Sequence, residues 1–110
     1  MLNIVMSRAA SGLLRALLER SGDRRDRILL SEIRSVDWQS LTLTGERHEI
    51  TLRVPGPDAD AIVDNIVSGI EDAEFSIRGH LVADIIMSGA PTRALDGSVT
   101  LGFEALTIAD

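Results

Sequence analysis

The sequence predicts an α+β domain built as a two-layer sandwich, with a mostly antiparallel sheet and two helices on one of its faces. Two amphipathic helical patterns, residues 7–20 and 57–71, are each followed by two strand-like runs. Apolar residues make up 45% of the chain but aromatic residues only 3%, so the core must be built from aliphatic side chains. At 110 residues, the chain is expected to form one domain spanning residues 1–110.

The first predicted helix, residues 7–20, has one apolar face. Ser7 is suited to cap its N-terminus, and Gly22 can end it in a left-handed conformation. Residues 2–6 are apolar and form either a short strand or an irregular first helical turn, because so short a run fits both. The apolar face consists of Ala10, Leu13, Leu14, Leu17 and Leu18.

Strand patterns follow the first helix. Residues 27–36 read as one strand, and the polar stretch 37–40 is expected to interrupt it. Residues 41–44 and 48–54 alternate between apolar and polar around Gly45. They therefore form either a hairpin or one long strand with a glycine bulge.

The second helix starts within the Pro55-Gly56-Pro57 segment, because proline suits the first turn of a helix and the preceding glycine can cap it. Acidic residues at positions 71–74 lie at its C-terminal end, where the helix dipole is also negative, so we expect arginines of the first half nearby. Residues 75–87 then form a strand that is either straight or kinked at Gly79, and residues 99–108 form the last strand. The expected buried stripe of the helix is Ala59, Ile62, Val63, Ile66, Val67 and Ile70.

The order of the elements is helix, strand, strand, helix, strand, strand. If residues 2–6 are a strand, residues 2–88 follow the ferredoxin-like βαββαβ order with one strand appended. If they are not, the order is the circularly permuted αββαββ version of the same plan. Both alternatives place two helices on one face of the sheet.

A homodimer is predicted from the apolar character of the last two strands. Residues 81–87 and 99–108 carry apolar side chains on both faces. Strict alternation places His80, Val82, Asp84 and Ile86 on one face of the first of these strands and the following residues on the other: Phe75, Ile77, Leu81, Ala83, Ile85 and Met87. Because helices cover only one face, the other would expose a large apolar patch unless the N-terminal segment, the 88–97 loop or a second copy covers it. The expected interface residues are Trp38, Leu81, Ile85, Met87 and Phe103.

Composition excludes several kinds of chemistry. The chain has no cysteine and no lysine, which removes disulfides, thiolate nucleophiles, Schiff bases and a phosphate-loop lysine. No apolar run reaches the roughly 18 residues that a membrane span needs. The first residues lack the pattern of a secretion signal, so we expect a cytoplasmic protein that does not act at a membrane.

Charge is divided unevenly along the chain. Residues 1–54 carry nine arginines against seven acidic residues, a net of +2, whereas residues 55–110 carry two against ten, a net of −8. An acidic second half argues against a nucleic-acid-binding surface. It favours contact between the two halves, within one chain or across a dimer.

Two histidines are the candidate catalytic groups. Glu46 and His48 are two residues apart in a predicted strand and share a face, so they could form an acid/base or partial metal pair, but the pattern favours a strand-end histidine hydrogen-bonded at the surface. His80 and Asp84 also share a face but lie about 13 Å apart in an extended strand. Asp84 has apolar neighbours and needs water, an arginine or a hydrogen-bond donor.

Arginines after the first helix form the candidate ligand-binding patch. Arg24, Arg25 and Arg27 could hold a phosphate or carboxylate, but interleaved aspartates favour a solvated turn that pairs with the acidic C-terminal end of the second helix. The acidic residues at positions 71–74 lack the spacing of a calcium loop. We expect neither a metal nor a cofactor.

The combined pattern predicts a noncatalytic homo-oligomeric binding or assembly module. The alternative is a small dimeric enzyme of the isomerase or cyclase type, with His48 or His80 as general base. No nucleophile, phosphate-binding or zinc motif accompanies either histidine.

Overall fold

A computed structural model describes residues 6–110, and the segment 2–6, for which a strand was one alternative, lies almost wholly outside them. The described residues form two α-helices, two short 3₁₀ turns at Gly22–Arg27 and Ile70–Asp72, and five strands. The helices are α1 (Arg8–Glu19) and α2 (Ala59–Val67); the strands are β1 (Leu29–Gln39), β2 (Thr44–Val54), β3 (His80–Met87), β4 (Thr92–Arg93) and β5 (Val99–Ala109).

The five strands form one antiparallel sheet in the order β1-β2-β5-β3, with β4 also paired to β5. The helices contribute buried leucines and isoleucines to the same core as alternate residues of β2 and β5. The predicted α+β class and antiparallel sheet are therefore confirmed. No helix in the described part of the chain is both long enough and apolar enough to span a membrane.

Helix α1 begins where the sequence predicts. The Ser7 hydroxyl accepts a hydrogen bond from the backbone N–H of Ala10 at 3.1 Å, which satisfies one of the free donors at the helix start. The helix ends at Glu19, and Gly22 then adopts a left-handed conformation (φ +69°). Leu13 and Leu17 are fully buried against the sheet.

Helix α2 is shorter than predicted. It ends at Val67 because Gly69 is left-handed (φ +67°) and a 3₁₀ turn follows. The expected positive charge at this end comes from Arg20, whose Nε donates to the Ile66 carbonyl at 2.7 Å and whose Nη2 donates to the Ser68 carbonyl. Arg20 therefore compensates the helix dipole through backbone carbonyls and not through the acidic side chains.

The first hairpin has neither of the two forms that the sequence predicted, a turn at Gly45 or a long strand with a glycine bulge there. β1 runs through the polar stretch 37–40 as far as Gln39, and β2 is one continuous strand from Thr44 to Val54. The turn lies at residues 40–43, where the Ser40 N–H donates to the Leu43 carbonyl at 2.9 Å. Pairing of β2 with a neighbour on each side outweighs the local turn signal at Gly45.

The predicted face assignment of β3 was wrong because this strand contains a bulge. The register between β3 and β5 shifts at Ala83, between Val82 and Asp84. A single extra residue moves every later side chain to the opposite face. Ile85 and Met87 consequently lie on the helix-covered side, and the strand begins only at His80, because Gly79 turns the chain (φ +79°).

Candidate functional site

The two helices of the described residues cover one face of the sheet and leave the opposite face, called the open face, uncovered. Along β2, the residues of even number from His48 to Val54 are buried, while the residues between them are half-buried or exposed. β4 pairs with β5, so that part of the 88–97 loop joins the sheet and does not cover this open face. The exposed apolar side chains on the open face are Leu29 (47% exposed), Val36 (57%), Leu81 (60%) and Ile86 (38%).

Charged side chains lie between these apolar groups in an ordered pattern. Arg34 and Glu49 form an ion pair, Nη2 to Oε2 2.7 Å. A shallow pocket of about 290 Å³ lies at the centre of the face. Two adjacent rows of paired residues cross it from β1 to β3: Arg34, Glu49, Glu104 and Ile86 in one, and Val36, Arg47, Leu106 and Asp84 in the other.

The two rows divide into a basic half and an acidic half. Both arginines come from β1 and β2, whereas Glu104 and Asp84 come from β5 and β3. Glu49 is already compensated by Arg34. Glu104 takes part in none of the four ion pairs formed by the described residues.

The helix-strand-strand repeat in the sequence corresponds to an approximate internal two-fold symmetry of the sheet. The β1–β2 and β3–β5 hairpins each have a one-residue bulge in the first strand, at Ser31 and Ala83. Their second strands, both 11 residues long, pair antiparallel at the centre. The middle residues of those strands, Glu49 and Glu104, pair with each other, so two like charges lie together at the approximate axis.

His48 is buried on the other side of the sheet. Its Nδ1 lies 2.7 Å from the Ser35 hydroxyl and its Nε2 lies 2.8 Å from the Thr107 hydroxyl. One ring nitrogen donates and the other accepts, since a neutral imidazole has one of each. With both nitrogens engaged and 1% of the residue exposed, His48 joins three strands inside the core.

The pKa of His48 lies below its ordinary value, because burial disfavours the charged ring. The Glu46 carboxylate opposes this shift and His80 adds to it. Glu46 itself accepts a hydrogen bond from the Ser7 hydroxyl at 2.8 Å. The network therefore holds His48 in its neutral form at neutral pH.

Stability should fall in mild acid because of His48. The unfolded chain binds a proton at the ordinary histidine pKa of about 6.5, whereas the folded protein does so only at lower pH, so folding is progressively disfavoured as pH falls from about 6.5 to the folded-state pKa. Thermal melts between pH 7.5 and 5 should show a falling Tm in the wild type and a much flatter profile in His48→Gln.

His80→Gln is the matched control and should retain the dependence on pH. An unchanged profile in His48→Gln would contradict the assignment. Asp96 contributes to the pH dependence of stability in a separate, more acidic pH range. Hydrogen bonds from the Ser98 hydroxyl and backbone N–H hold the pKa of this carboxyl below its ordinary value of about 3.9.

The other candidate residues are dispersed. The described hydrogen bonds include none between Glu46 and His48, and His80 lies with Nδ1 3.3 Å from the Arg78 carbonyl. Asp84 is exposed on the open face, so its carboxylate is not buried among its apolar neighbours. The sequence indicated His48 as a candidate residue but did not indicate Ser35 and Thr107, because only the pairing of the strands places these two residues beside His48.

The candidate ligand-binding patch lies in the 3₁₀ turn after α1. Arg27 forms an ion pair with Asp58 at 2.8 Å, at the start of α2. Arg24 and Arg25 take part in none of the ion pairs of the described residues. In residues 6–110, no three acidic or histidine side chains converge as a metal site requires.

The five residues expected at an interface lie on two different faces. Trp38 and Leu81 lie on the open face. Trp38 pairs with Gly45 of β2 and Leu81 pairs with Ile108 of β5, and Gly45 and Ile108 pair with each other, so the four residues form one row across the sheet. Ile85 and Phe103 are buried in the helix-covered core, and Met87 packs against it. These three residues contribute to the folding of one protomer.

No protein-family model matches this chain, and the comparison with curated proteins found no match. Function is therefore inferred from the geometry alone.

Proposed function

We propose that this protein is a noncatalytic homodimeric binding or assembly module whose open sheet face is the dimer interface. The observation that carries this proposal is the set of four exposed apolar side chains on a face that no helix of residues 6–110 covers. Apolar and charged side chains alternate on this face, and soluble monomers seldom leave a large apolar surface exposed to water. A second copy of the chain buries them and converts the sheet into the centre of a four-layer assembly.

Charge complementarity favours a second copy over an unrelated partner. In this dimer the two sheets stack face to face, and a two-fold axis runs between them, parallel to the strands. This axis places β1 and β2 of one protomer over β3 and β5 of the other. Arg34 and Arg47 then face the acidic half that contains Asp84 and Glu104. The same contact occurs twice: Arg34 of one protomer lies over Ile86, beside Glu104 of the other, and Glu49, which Arg34 compensates, lies over Glu104.

The strand order β1-β2-β5-β3, following the element order αββαββ, supports the circularly permuted ferredoxin-like plan. That plan occurs with many unrelated functions, so it contributes no activity to the proposal. The cysteine-free composition supports a cytoplasmic location for the dimer.

The enzymatic alternative has less support. A general base must reach the proton that it removes. His48 is 1% exposed and both of its ring nitrogens are engaged with hydroxyl groups. His80 is more accessible, but the one hydrogen bond of its side chain within residues 6–110 is to the backbone carbonyl of Arg78.

A charge-swap experiment tests the proposed interface. Arg34→Glu/Arg47→Glu makes the central rows entirely acidic, and Asp84→Arg/Glu104→Arg makes them predominantly basic. Each double variant alone should sediment as a monomer, because like charges then face each other. An equimolar mixture of the two should form a 1:1 heterodimer, while the wild type should sediment as a homodimer.

Arg24→Glu/Arg25→Glu is the matched control, because it makes the same change in charge in the 3₁₀ turn, away from the open face. This control should remain dimeric. Three outcomes would refute the proposal: a monomeric wild type at micromolar concentration, a mixture that stays monomeric, or a control that dissociates as fully as the interface variants. Far-UV circular dichroism of each variant establishes that the protomers remain folded.

A further inference from the structure

The helix layer contains a groove that the proposed dimer does not use. It lies between α1 and the segment 76–78 and has a volume of about 590 Å³, within the range of roughly 300–1,000 Å³ of small-molecule sites. Its lining includes three arginines, Arg8, Arg15 and Arg78, and two serines, Ser11 and Ser76.

A close contact between the two walls forms the groove. A Cβ atom at Gly12 would lie 2.7 Å from Cγ2 of Ile77, so only glycine allows this segment to approach the helix so closely. Ile77 is half-buried and packs against the core, which holds its two neighbours Ser76 and Arg78 at the rim. The basic and hydroxyl groups are therefore presented by backbone that the core keeps in place.

The three arginines of the groove lack the partners that five other arginines of this protein have. Arg27, Arg34, Arg53 and Arg93 each form an ion pair, and Arg20 donates to two backbone carbonyls. Arg8, Arg15 and Arg78 take part in none of the ion pairs of residues 6–110, and residues 1–5 contain no carboxylate side chain. The lining of the groove therefore has three arginines that form no ion pair with a described residue and one carboxylate, that of Glu19.

We propose that this groove binds a small molecule that carries a diphosphate or two neighbouring phosphate groups, with Arg8, Arg15 and Arg78 as its anion ligands. Guanidinium groups match phosphate oxygens through paired hydrogen bonds, and the serine hydroxyls add neutral donors. Arg8 and Arg15 are two helical turns apart, about 10 Å along the axis. That separation suits an extended polyanion better than a single phosphate ion.

Glu19 limits the site at one end. It lies one turn beyond Arg15 on the same wall of the groove, so a phosphate group there would meet a like charge. The anionic end of the ligand consequently lies toward Arg8 and Arg78, and a neutral or cationic part lies toward Glu19.

Binding of inorganic pyrophosphate to the intact protein tests this site. Calorimetry at physiological salt should detect binding to the wild type, and amide NMR shifts should concentrate at Ser11, Gly12, Ser76 and Ile77. Arg8→Gln, Arg15→Gln and Arg78→Gln should each weaken binding roughly tenfold or more, since each removes a charge-assisted contact. Inorganic phosphate should bind more weakly than pyrophosphate.

The matched control is Arg24→Gln, which removes one equally unpaired arginine outside the groove and should leave pyrophosphate affinity unchanged. The proposal is overturned if millimolar pyrophosphate shifts no groove amide, or if this control loses as much affinity as the groove variants. It is also overturned if the three single variants bind as the wild type does. None of these outcomes bears on the dimer, because the groove lies in the helix layer and not on the open face.

Discussion

Replacing Phe103 with alanine should lower the free energy of unfolding by about 3–5 kcal/mol, the largest side-chain effect expected in this protein. Phe103 is 1% exposed at the centre of β5, where it pairs with Ile50 on one side and Met87 on the other. Truncation leaves a cavity beneath both helices that the surrounding aliphatic side chains fill only in part. Urea unfolding followed by far-UV circular dichroism measures the change.

The measurement is best made in the Arg34→Glu/Arg47→Glu background, so that dissociation does not contribute to the apparent stability. In the same background, Leu81→Asp should cost less than about 1 kcal/mol, because Leu81 is 60% exposed. In the otherwise wild-type protein, Leu81→Asp should abolish dimerisation while the protomer stays folded. The loop variant Leu95→Asp is the control and should change neither quantity.

These two substitutions separate folding from assembly. A Phe103→Ala protomer that keeps its stability and loses only the dimer would place Phe103 at the interface and contradict the observed core. A Leu81→Asp protein that remains dimeric would remove Leu81 from the proposed contact. Each result identifies which face of the sheet the residue serves.

Replacing Gly45 with alanine should destabilise the protein by about 3 kcal/mol, the upper end of the range for overpacking. A Cβ atom at this position would collide with the carbonyl oxygen of Thr107 and lie 3.0 Å from its carbonyl carbon. Because the obstacle is backbone, no change of rotamer relieves it. β2 and β5 must separate at this end, which also disturbs the Thr107 hydroxyl bonded to His48.

Gly102→Ala is the matched control, since this glycine lies in the same pair of central strands. An added Cβ there meets only the side chain of Ser88, at 3.2 Å, and that side chain can shift. The expected change is within about 1 kcal/mol, because alanine also removes part of the entropy cost of glycine in a strand. Equal effects of the two substitutions in thermal melts would show that the close backbone approach at Gly45 is not a constraint.

The helices and strands whose apolar residues repeat without interruption could be predicted from the sequence. α1 lies within the predicted range 7–20, and β5 matches the alternation of residues 99–108, with Phe103 on the buried side and Ile108 on the other. Both patterns depend only on the local repeat of apolar residues. β3 did not follow its pattern, because the bulge at Ala83 moves each later side chain of the strand to the face opposite the predicted one.

The candidate site was predictable only in part, for a similar reason. The sequence identified the apolar strands and the charge difference between the two halves, which together indicate self-association. It did not indicate that Glu49 and Glu104 meet at the centre of the sheet, or that His48 joins Ser35 to Thr107, which is 59 residues away. It also missed the groove arginines, because Arg78 is far from Arg8 and Arg15 along the chain.

The sequence by itself determined the two helices, the aliphatic core and the presence of a sheet with two helix-strand-strand units, because these follow from composition and short-range periodicity. Only the tertiary structure decided which side chains of that sheet face the helices and which face outward. Register, strand order and bulges depend on hydrogen bonds between strands that are distant in the chain, and a shift of one residue exchanges the two faces. Whether an apolar residue such as Ile85 or Ile86 belongs to the core or to the open face is therefore set by its partner on β5.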